Sequence, residues 1–510
     1  MTSDGGRDLN SMSDEMAAVL SPRASAARAT ADREGEPRAD DLAGSSKLSV
    51  WIKSIYGAGY FGQTTLQNAS FLFLLIFYTD VVHMPPRLVG LALSVGRIVD
   101  AFTDPLMGQV SDRTRTRFGR RRPYIMVGSF VWGLVFLLIW LPSPLWSLGG
   151  KFAYLVMTDM LFALCLTLVQ TPYFALGAEL SLDYNERNSI AGYRLAFMQI
   201  GTISAAGFLM LSRFFKAQLA SLADGAQQTF HILHYLAARA KSLPNPEWTT
   251  AAIVFAVVAV TFMFLSGLVP KERFASRRME RFSIREALKW TLSNANYRRV
   301  VGTHTLVFGV SALSAFLIPF ITIYLIKRPG FILPIYAVYA LSGIVSLPFW
   351  LALGRRLEKS VVLRILCVFH ALLCPVVFVS LDPSRPTLIF LLPVLAGSCQ
   401  TAFLTYTHSM IGDVTDEDES RTRRRREGIY FGVYTLLLKL VFSMATLWSG
   451  FCLAFIGYVP NAAQSAQTLS WMRLLFAIPF LGTLPGLFFL RRYSLNRARL
   501  GEIHAASQSS

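Results

Sequence analysis

Acidic residues are scarce in this sequence, and cysteines are few. There are 31 Asp and Glu against 49 Lys and Arg, and charged residues make up only 16% of the 510-residue chain. The five cysteines are scattered through apolar segments without a CxxC pair, which predicts neither a disulfide framework nor a metal cluster. With 53% hydrophobic residues, the chain has more apolar surface than a soluble core can bury. An integral membrane protein is therefore expected.

Long apolar runs dominate the rest of the chain. Each contains the roughly 20 residues that a helix needs to cross a bilayer. The alternating stretches of about ten residues typical of a β-barrel are missing, which predicts an all-α membrane protein. About twelve such segments are present, at 53–79, 88–110, 123–142, 152–175, 193–213, 251–270, 299–325, 332–354, 360–380, 387–412, 430–457 and 471–490.

Positive charge is unevenly distributed between these segments. The Lys/Arg clusters after the second segment, within 271–298 and before the eleventh segment alternate with connections poor in Lys and Arg. This bias predicts both termini in the cytoplasm and an outer loop at 214–250 in a plasma-membrane protein. Short clusters between apolar runs point to a lipid surface and against a nucleic-acid partner. Residues 1–48 are polar, contain no apolar h-region and are expected to be a disordered cytoplasmic tail.

The order of the segments predicts two six-helix halves. These halves occupy 49–270 and 299–490, with a cytoplasmic linker at 271–298 and a cytoplasmic tail at 491–510. This is the plan of a two-half secondary transporter. A weak internal repeat supports the two-half plan, because "GQVSDRTRTRFGRRRP" and "ALGRRLEKS" place Gly followed by Arg at the same point of each half.

Three ionisable residues lie together in the second segment. Asp100 and Asp104 are spaced i, i+4, and Arg97 precedes Asp100 by three residues, so all three share one face of a helix. One aspartate is accounted for by a structural pair with Arg97, whereas the second leaves negative charge for a cation. A cation site is favoured over a purely structural role.

Two residues on other segments match this site in depth. Counted from the cytoplasmic helix ends at 1.5 Å per residue, Thr167 and Lys439 agree with the aspartates within about 6 Å. Thr167 supplies an oxygen of the kind that Na⁺ prefers. Lys439 needs an anionic partner, and contact with the aspartates would join the halves and compete with the cation, unless the ion pair is static.

A further carboxylate lies on the fourth segment. Asp159 and Gln170 fall within about 20° of one helix face, so Asp159 is expected to look into the same cavity from its outer side. It either attracts cations on entry or pairs with Lys151 near the surface. Both interpretations stay open at this stage.

Three motifs carry a family resemblance. They are "RIVDAFTDPLMGQVSDRTRTRFGRRRPYI", "TPYFALGAELSLDYNERNSIAGYR" and "MIGDVTDEDESRTRRRREGIYFGVYTLLLK", in this order along the chain. Together they resemble the glycoside–pentoside–hexuronide:cation symporters of the major facilitator superfamily over roughly residues 50–445. The resemblance implies cation-coupled transport of a small solute by alternating access.

The resemblance also implies roles for single residues. In melibiose-transporting members, the positions of Asp100 and Asp104 bind Na⁺, Li⁺ or H⁺, that of Thr167 contributes, and that of Lys439 links cation and sugar. Arg97 is retained as a coupling residue. The melibiose-transporting members have aspartates at the positions of Thr64 and Gln170, so the sugar-binding part of the site is altered in this chain. The expected substrate contacts are Thr64, Gln170, Arg194, Tyr60 and Phe174.

The expected partners are one solute and one monovalent cation, Na⁺ or H⁺, in a lipid-embedded monomer without a cofactor or resident metal. A sugar or glycoside-like solute is favoured. A lysophospholipid, as in a lipid-carrying branch of the family, and a non-transporting sensor are the alternatives. An enzyme or channel is disfavoured, since no nucleophile–base set or polar ring is legible. Asp112 and Arg113, where the second segment ends, are expected to form a cytoplasmic gate.

Overall fold

The computed structural model describes residues 47–114, 116–181, 183–223, 243–270, 284–424 and 426–508. All regular structure in these ranges is helical. The tail before residue 47, most of the predicted outer loop and residues 271–283 of the predicted linker lie outside the described residues.

The first group of helices supplies six crossing segments. A π-helical turn, Phe77–Val81, extends α1, and the fifth crossing consists of α5 and α6, which meet at Gly207. The helices are α1 (Val50–Ile76), α2 (Pro86–Arg113), α3 (Arg122–Ile139), α4 (Leu148–Glu179), α5 (Tyr184–Ala206), α6 (Phe208–Ala223) and α7 (Pro246–Leu268).

The second group repeats this plan after the short helix α8 (Ile284–Ser293), which lies in the predicted linker. Its crossing segments are α9 (Ala295–Phe320, extended by the π-helical turn Ile321–Leu325), α10 (Ile332–Arg356), α11 (Lys359–Ala371) with α12 (Leu373–Ser380), α13 (Leu391–Thr422), α14 (Glu427–Phe455), and α15 (Ala466–Ala477) with α16 (Pro485–Arg491); α17 (Arg497–Gln508) follows.

Local sequence sets several helix ends and breaks. Polar side chains accept the first free backbone N–H groups of α1, α4, α5, α9 and α15. The ninth crossing is interrupted at Leu372, three residues before Pro375, whose ring and missing N–H disfavour a continuous helix. The twelfth crossing passes through a 3₁₀ turn, Ile478–Thr483, between α15 and α16.

Ten crossing segments are long and apolar enough to span a membrane by length and composition, and α1 and α2 bring the number to twelve. α1 and α2 are the more polar ones. α1 contains five polar residues between positions 63 and 68, namely Gln63, Thr64, Thr65, Gln67 and Asn68, and α2 contains the charged residues already described. Both helices lie at the interface between the two groups, where polar side chains are shielded from lipid.

We call the end of the bundle at which α1 begins and α16 ends the terminal end, and the opposite end the distal end. α2 packs against α14 near the distal end, where the Gly90 and Gly450 backbones approach so closely that a Cβ on Gly90 would lie 3.0 Å from the Gly450 Cα. The Ser443 hydroxyl donates to the Ser94 carbonyl at 2.8 Å. Small residues thus allow the halves to meet closely on the distal side.

Candidate functional site: a charged cavity between the two halves

A cavity of about 490 Å³ lies between the halves. Its first-half wall comes from α1, α2 and α5, and its second-half wall from α9 to α15. The polar and charged side chains on the first-half wall, together with the lysine opposite, are Tyr60, Thr64, Gln67, Asn68, Arg97, Asp100, Thr202 and Lys439.

Asp100 connects three helices at this wall. One carboxylate oxygen, Oδ1, accepts a hydrogen bond from the Thr167 hydroxyl of α4 at 2.8 Å. The other, Oδ2, lies 2.9 Å from Lys439 Nζ on α14. The Thr103 hydroxyl is 3.2 Å from that of Thr167. Since Asp100 is only 4% exposed, its charge is balanced by these partners instead of bulk water.

The predicted convergence of Asp100, Thr167 and Lys439 is therefore present in the structure. Helix register and depth were sufficient to find it, because all three lie on regular helices. Asp104 follows one turn later on α2, but its side chain lies outside the described residues, so its part in the site stays a prediction.

Arg97 lines the same cavity and is 8% exposed. Its guanidinium carbon lies 5.4 Å from the centre of the Phe442 ring on α14, a cation–π contact between the halves. Arg97 of the first half and Lys439 of the second half thus both line the cavity that contains Asp100.

The predicted solute residues form two sets. Tyr60 and Thr64 line the cavity, and the Thr64 hydroxyl donates to the Tyr60 carbonyl at 2.7 Å. Arg194 lies over the rings of Tyr60 and Phe174, at 5.6 and 4.9 Å from their centres. The described residues that line the cavity do not include Gln170, Phe174 or Arg194. Arg194 and Phe174 instead pack against the Tyr60 ring. Gln170 is half-buried on α4.

Asn68 carries an amide suited to a sugar contact and also lies on the cavity wall, where its side-chain amide donates to the Thr202 hydroxyl at 3.2 Å. It follows Thr64 by four residues, so both lie on the same face of α1.

Asp159 does not enter the cavity along the part of its wall that the structure describes. It is 1% exposed and packs against the backbone of Gly96 on α2, where a Cβ would overlap its carboxylate. Neither carboxylate oxygen has a described hydrogen-bond partner, and Lys151 donates instead to the Val82 carbonyl at 2.8 Å. The alternative in which Asp159 pairs with Lys151 is thus not what the structure contains.

A cluster at the distal end was missed by the sequence analysis. The Asp80 carboxylate, after α1, accepts hydrogen bonds from the hydroxyls of Tyr324 and Tyr458, both in the second half. The Asn461 side chain donates to the Asp80 carbonyl. The sequence around Asp80 does not indicate this cluster, because the two tyrosines that donate to it lie 244 and 378 residues later in the chain. We call these four residues the distal latch.

At the terminal end, the arginines after α2 hold the first half together. Arg121, 3.0 Å from Glu179 at the end of α4, is 4% exposed, and Arg120 pairs with the same carboxylate. Arg122 Nε donates to the Gly267 carbonyl on α7 at 2.8 Å. The side chains of the predicted gate residues Asp112 and Arg113, in the last turn of α2, lie outside the described residues.

Comparison with known proteins agrees with this architecture. The chain is 25% identical over 464 residues to the putative glycoside/cation symporter YagG of Escherichia coli K12, covering 90% of this chain and 95% of that protein. It is 25% identical over 475 residues to the sodium-dependent lysophosphatidylcholine symporter 1 of Xenopus tropicalis, covering 89% of each.

Among solved structures, the inward open conformation of the xylose transporter XylE from E. coli superposes with a TM-score of 0.57 at 12% identity. It covers 89% of this chain and 98% of the transporter, a likeness of fold. The family model described as MFS/sugar transport protein matches residues 55–497. The chain belongs to this family of membrane transporters and has the twelve-helix fold of the major facilitator superfamily, in two six-helix halves.

Proposed function

We propose that this protein couples the entry of Na⁺ or H⁺ to the transport of a sugar or glycoside-like solute by alternating access. The observation that carries the proposal is the position of Asp100. Its carboxylate is buried on the cavity wall, bound on one side by Thr167 of the same half and on the other by Lys439 of the opposite half.

This arrangement explains how a cation can act on the solute path. A Na⁺ ion at Asp100 takes carboxylate and hydroxyl oxygens as ligands, and Thr167 and Thr103 offer hydroxyls beside the carboxylate. The ammonium group of Lys439 neutralises the same carboxylate. Cation and lysine therefore compete, and cation binding changes a contact between the halves. Asp104, one turn away, supplies the second carboxylate of the proposed site.

The Lys/Arg bias leads us to propose that the terminal end faces the cytoplasm, with both termini and the 271–298 linker on that side of the plasma membrane. The contacts described between the halves lie from the distal latch to the level of Asp100. We thus treat the distal latch as a closed outer gate. The protein acts as a lipid-embedded monomer without nucleic acid, catalytic residues or a cofactor besides the coupling ion, since both walls of the cavity belong to one chain.

A second candidate is a lysophospholipid as solute. Two observations favour it: the likeness to the lysophosphatidylcholine symporter and the largely apolar second-half wall of the cavity. The same cation site serves either solute.

Uptake into proteoliposomes tests the proposal. The purified protein is assayed with labelled glycosides and lysophosphatidylcholine, each with an inward Na⁺ gradient, an inward proton gradient, or neither. We expect accumulation only with a cation gradient.

Asp100→Asn should abolish accumulation while exchange of solute without net cation movement survives, because exchange needs no coupling. Asp382→Asn, in the loop after α12, removes the same charge from a residue that does not line the cavity and should behave like the parent. Undiminished accumulation by Asp100→Asn would refute the cation-site assignment.

A further inference from the structure

The two walls of the central cavity differ in chemistry. The first-half wall presents hydroxyl, amide and charged groups, whereas the second-half wall is mostly hydrocarbon. We call the part of the cavity enclosed by the second half the apolar compartment. Six side chains that define it are Ile318, Ile335, Leu373, Ile389, Leu392 and Phe480.

The apolar compartment extends into the second helix bundle. Its side chains come from α9, α10, α12 and α13 and from the 3₁₀ turns Pro386–Phe390 and Ile478–Thr483. Leu373 is 1% exposed and Leu392 is 7% exposed, and both also belong to the main hydrophobic core. The compartment is thus a recess in the core, open to the cavity and sheltered from lipid.

Few polar groups line the apolar compartment. The Ser311 hydroxyl donates to the Val307 carbonyl on its own helix at 3.0 Å, and it lies 3.3 Å from Gln400 Oε1 and 3.4 Å from His370 Nε2. The Tyr336 hydroxyl and His370 Nδ1 have no described partner. A sugar ring with a hydroxyl on nearly every carbon would leave most of these hydroxyls unpaired here, which weakens binding. A hydrocarbon group brings no hydroxyl of its own that needs a partner in this position.

We propose, on the basis of the transport function proposed above, that the solute is amphipathic. Its hydroxyl-bearing head lies beside Arg97, Asp100 and Lys439, and its apolar group fills the apolar compartment. A glycoside with an apolar aglycone and a single-chain lipid share this chemistry. A small, fully hydroxylated sugar does not, because it leaves the apolar compartment empty.

Binding of two ligand series tests the proposal. Alkyl β-glucosides from methyl to octyl, and lysophosphatidylcholines of increasing chain length, are titrated below their critical micelle concentrations into the protein in nanodiscs with Na⁺, by calorimetry. Empty nanodiscs correct for partition into lipid. Each added methylene group should raise the affinity about fourfold until the apolar compartment is full.

Variants locate the effect. Ala396→Phe fills the apolar compartment from α13, and Ala315→Leu narrows it from α9 should the larger replacement impair folding. Either should flatten the dependence on chain length and leave the affinity for methyl glucoside within about twofold of the parent. Ala352→Phe adds the same bulk at an exposed position of α10 and should leave the dependence unchanged.

The results of the two titration series distinguish a glycoside from a lipid as the solute. Dependence on chain length in the glucoside series alone identifies a glycoside with an apolar aglycone, and dependence in the lysolipid series alone identifies a lipid. Affinity that is independent of chain length in both series, or dependence that survives Ala396→Phe and Ala315→Leu, overturns the proposal. Cation-driven uptake in proteoliposomes is measured in parallel. Uptake of methyl glucoside as efficient as that of octyl glucoside refutes the amphipathic solute and upholds transport, whereas chain-length-dependent binding without cation-driven uptake refutes transport.

Discussion

The contact between Lys439 and Asp100 joins the two halves of the protein at the proposed cation site. The ammonium lies 2.9 Å from the carboxylate, with side-chain exposures of 18% for the lysine and 6% for the aspartate. Thr167 satisfies the other carboxylate oxygen. If the lysine holds the place of the cation, its removal should make the carboxylate more available to Na⁺.

Lys439→Met removes the charge and keeps most of the side-chain length. Breaking a fully buried ion pair costs about 3–5 kcal/mol because the remaining charge is uncompensated. Because Lys439 is partly exposed, we expect about 1–3 kcal/mol of this cost to be recovered on cation binding, which raises the cation affinity about 5- to 150-fold. Cation-driven accumulation should nevertheless fall, because the contact that reports cation binding to the second half is lost.

Thermal unfolding of the purified protein measures this effect. A ligand that binds the folded state raises its stability by RT ln(1 + [L]/Kd), so the Na⁺ concentration that raises the stability by RT ln 2, which equals Kd, should fall by the factor given above. Li⁺ and H⁺ are titrated in the same way. In the Asp100→Asn background, Lys439→Met should no longer alter the titration, which isolates the pairwise interaction.

Lys151→Met is the matched control. Lys151 is 7% exposed and donates to the Val82 carbonyl near the distal end, so its loss should lower stability at every cation concentration and leave the Kd for Na⁺ unchanged. A Lys439→Met protein that needs as much cation as the parent, or more, would show that lysine and cation do not compete.

Tyr324→Phe combined with Tyr458→Phe removes two hydroxyl hydrogen bonds to Asp80, each worth about 1.5–3 kcal/mol when the acceptor is charged. The double variant should increase the labelling, from outside, of a cysteine introduced into the cavity wall. Unchanged labelling would mean that the distal latch does not hold the outer gate closed. Asp159→Asn removes a buried carboxylate that has no described hydrogen-bond partner, so the melting temperature should be equal or higher with unchanged cation affinity. A lower cation affinity would restore Asp159 to the cation path. A cysteine at position 225 in a cysteine-free background should react with a membrane-impermeant reagent from outside. If a cysteine in the 271–298 linker reacts from outside instead, the proposed orientation is wrong.

The convergence of Asp100, Thr167 and Lys439 could be predicted because these residues lie on regular helices. Depths that agree within about 6 Å on three helices were enough to bring the three residues to one level, since rise and rotation per residue vary little within regular helices. The same arithmetic placed Asp159 and Gln170 on one face of α4 but could not say what covers that face. In the structure, the bare backbone of Gly96 lies against Asp159.

The apolar compartment and the distal latch were beyond sequence reasoning for a different reason. Both depend on which helices of the second half become neighbours and on breaks within them. Leu373 follows the interruption of the ninth crossing, and Phe480 lies in the 3₁₀ turn between α15 and α16. Hydropathy marks each of these segments as apolar without distinguishing a side chain facing lipid from one facing an internal recess.

The distal latch and the Asp100–Lys439 pair differ in what can open them. The latch is made by neutral hydroxyl and amide donors on Asp80, and a cation at Asp100 has no direct contact with it. In the proposed mechanism, the ion pair loses its lysine when a cation takes the carboxylate. Cation binding alone should therefore loosen the halves at mid-depth while the distal latch holds. The proposed amphipathic solute would span from Arg97 to the apolar compartment and contact both halves at once, so it would restore the contact that the cation removes. This order of events would couple the two substrates, because the protein with cation alone would lack a contact between its halves that the solute supplies.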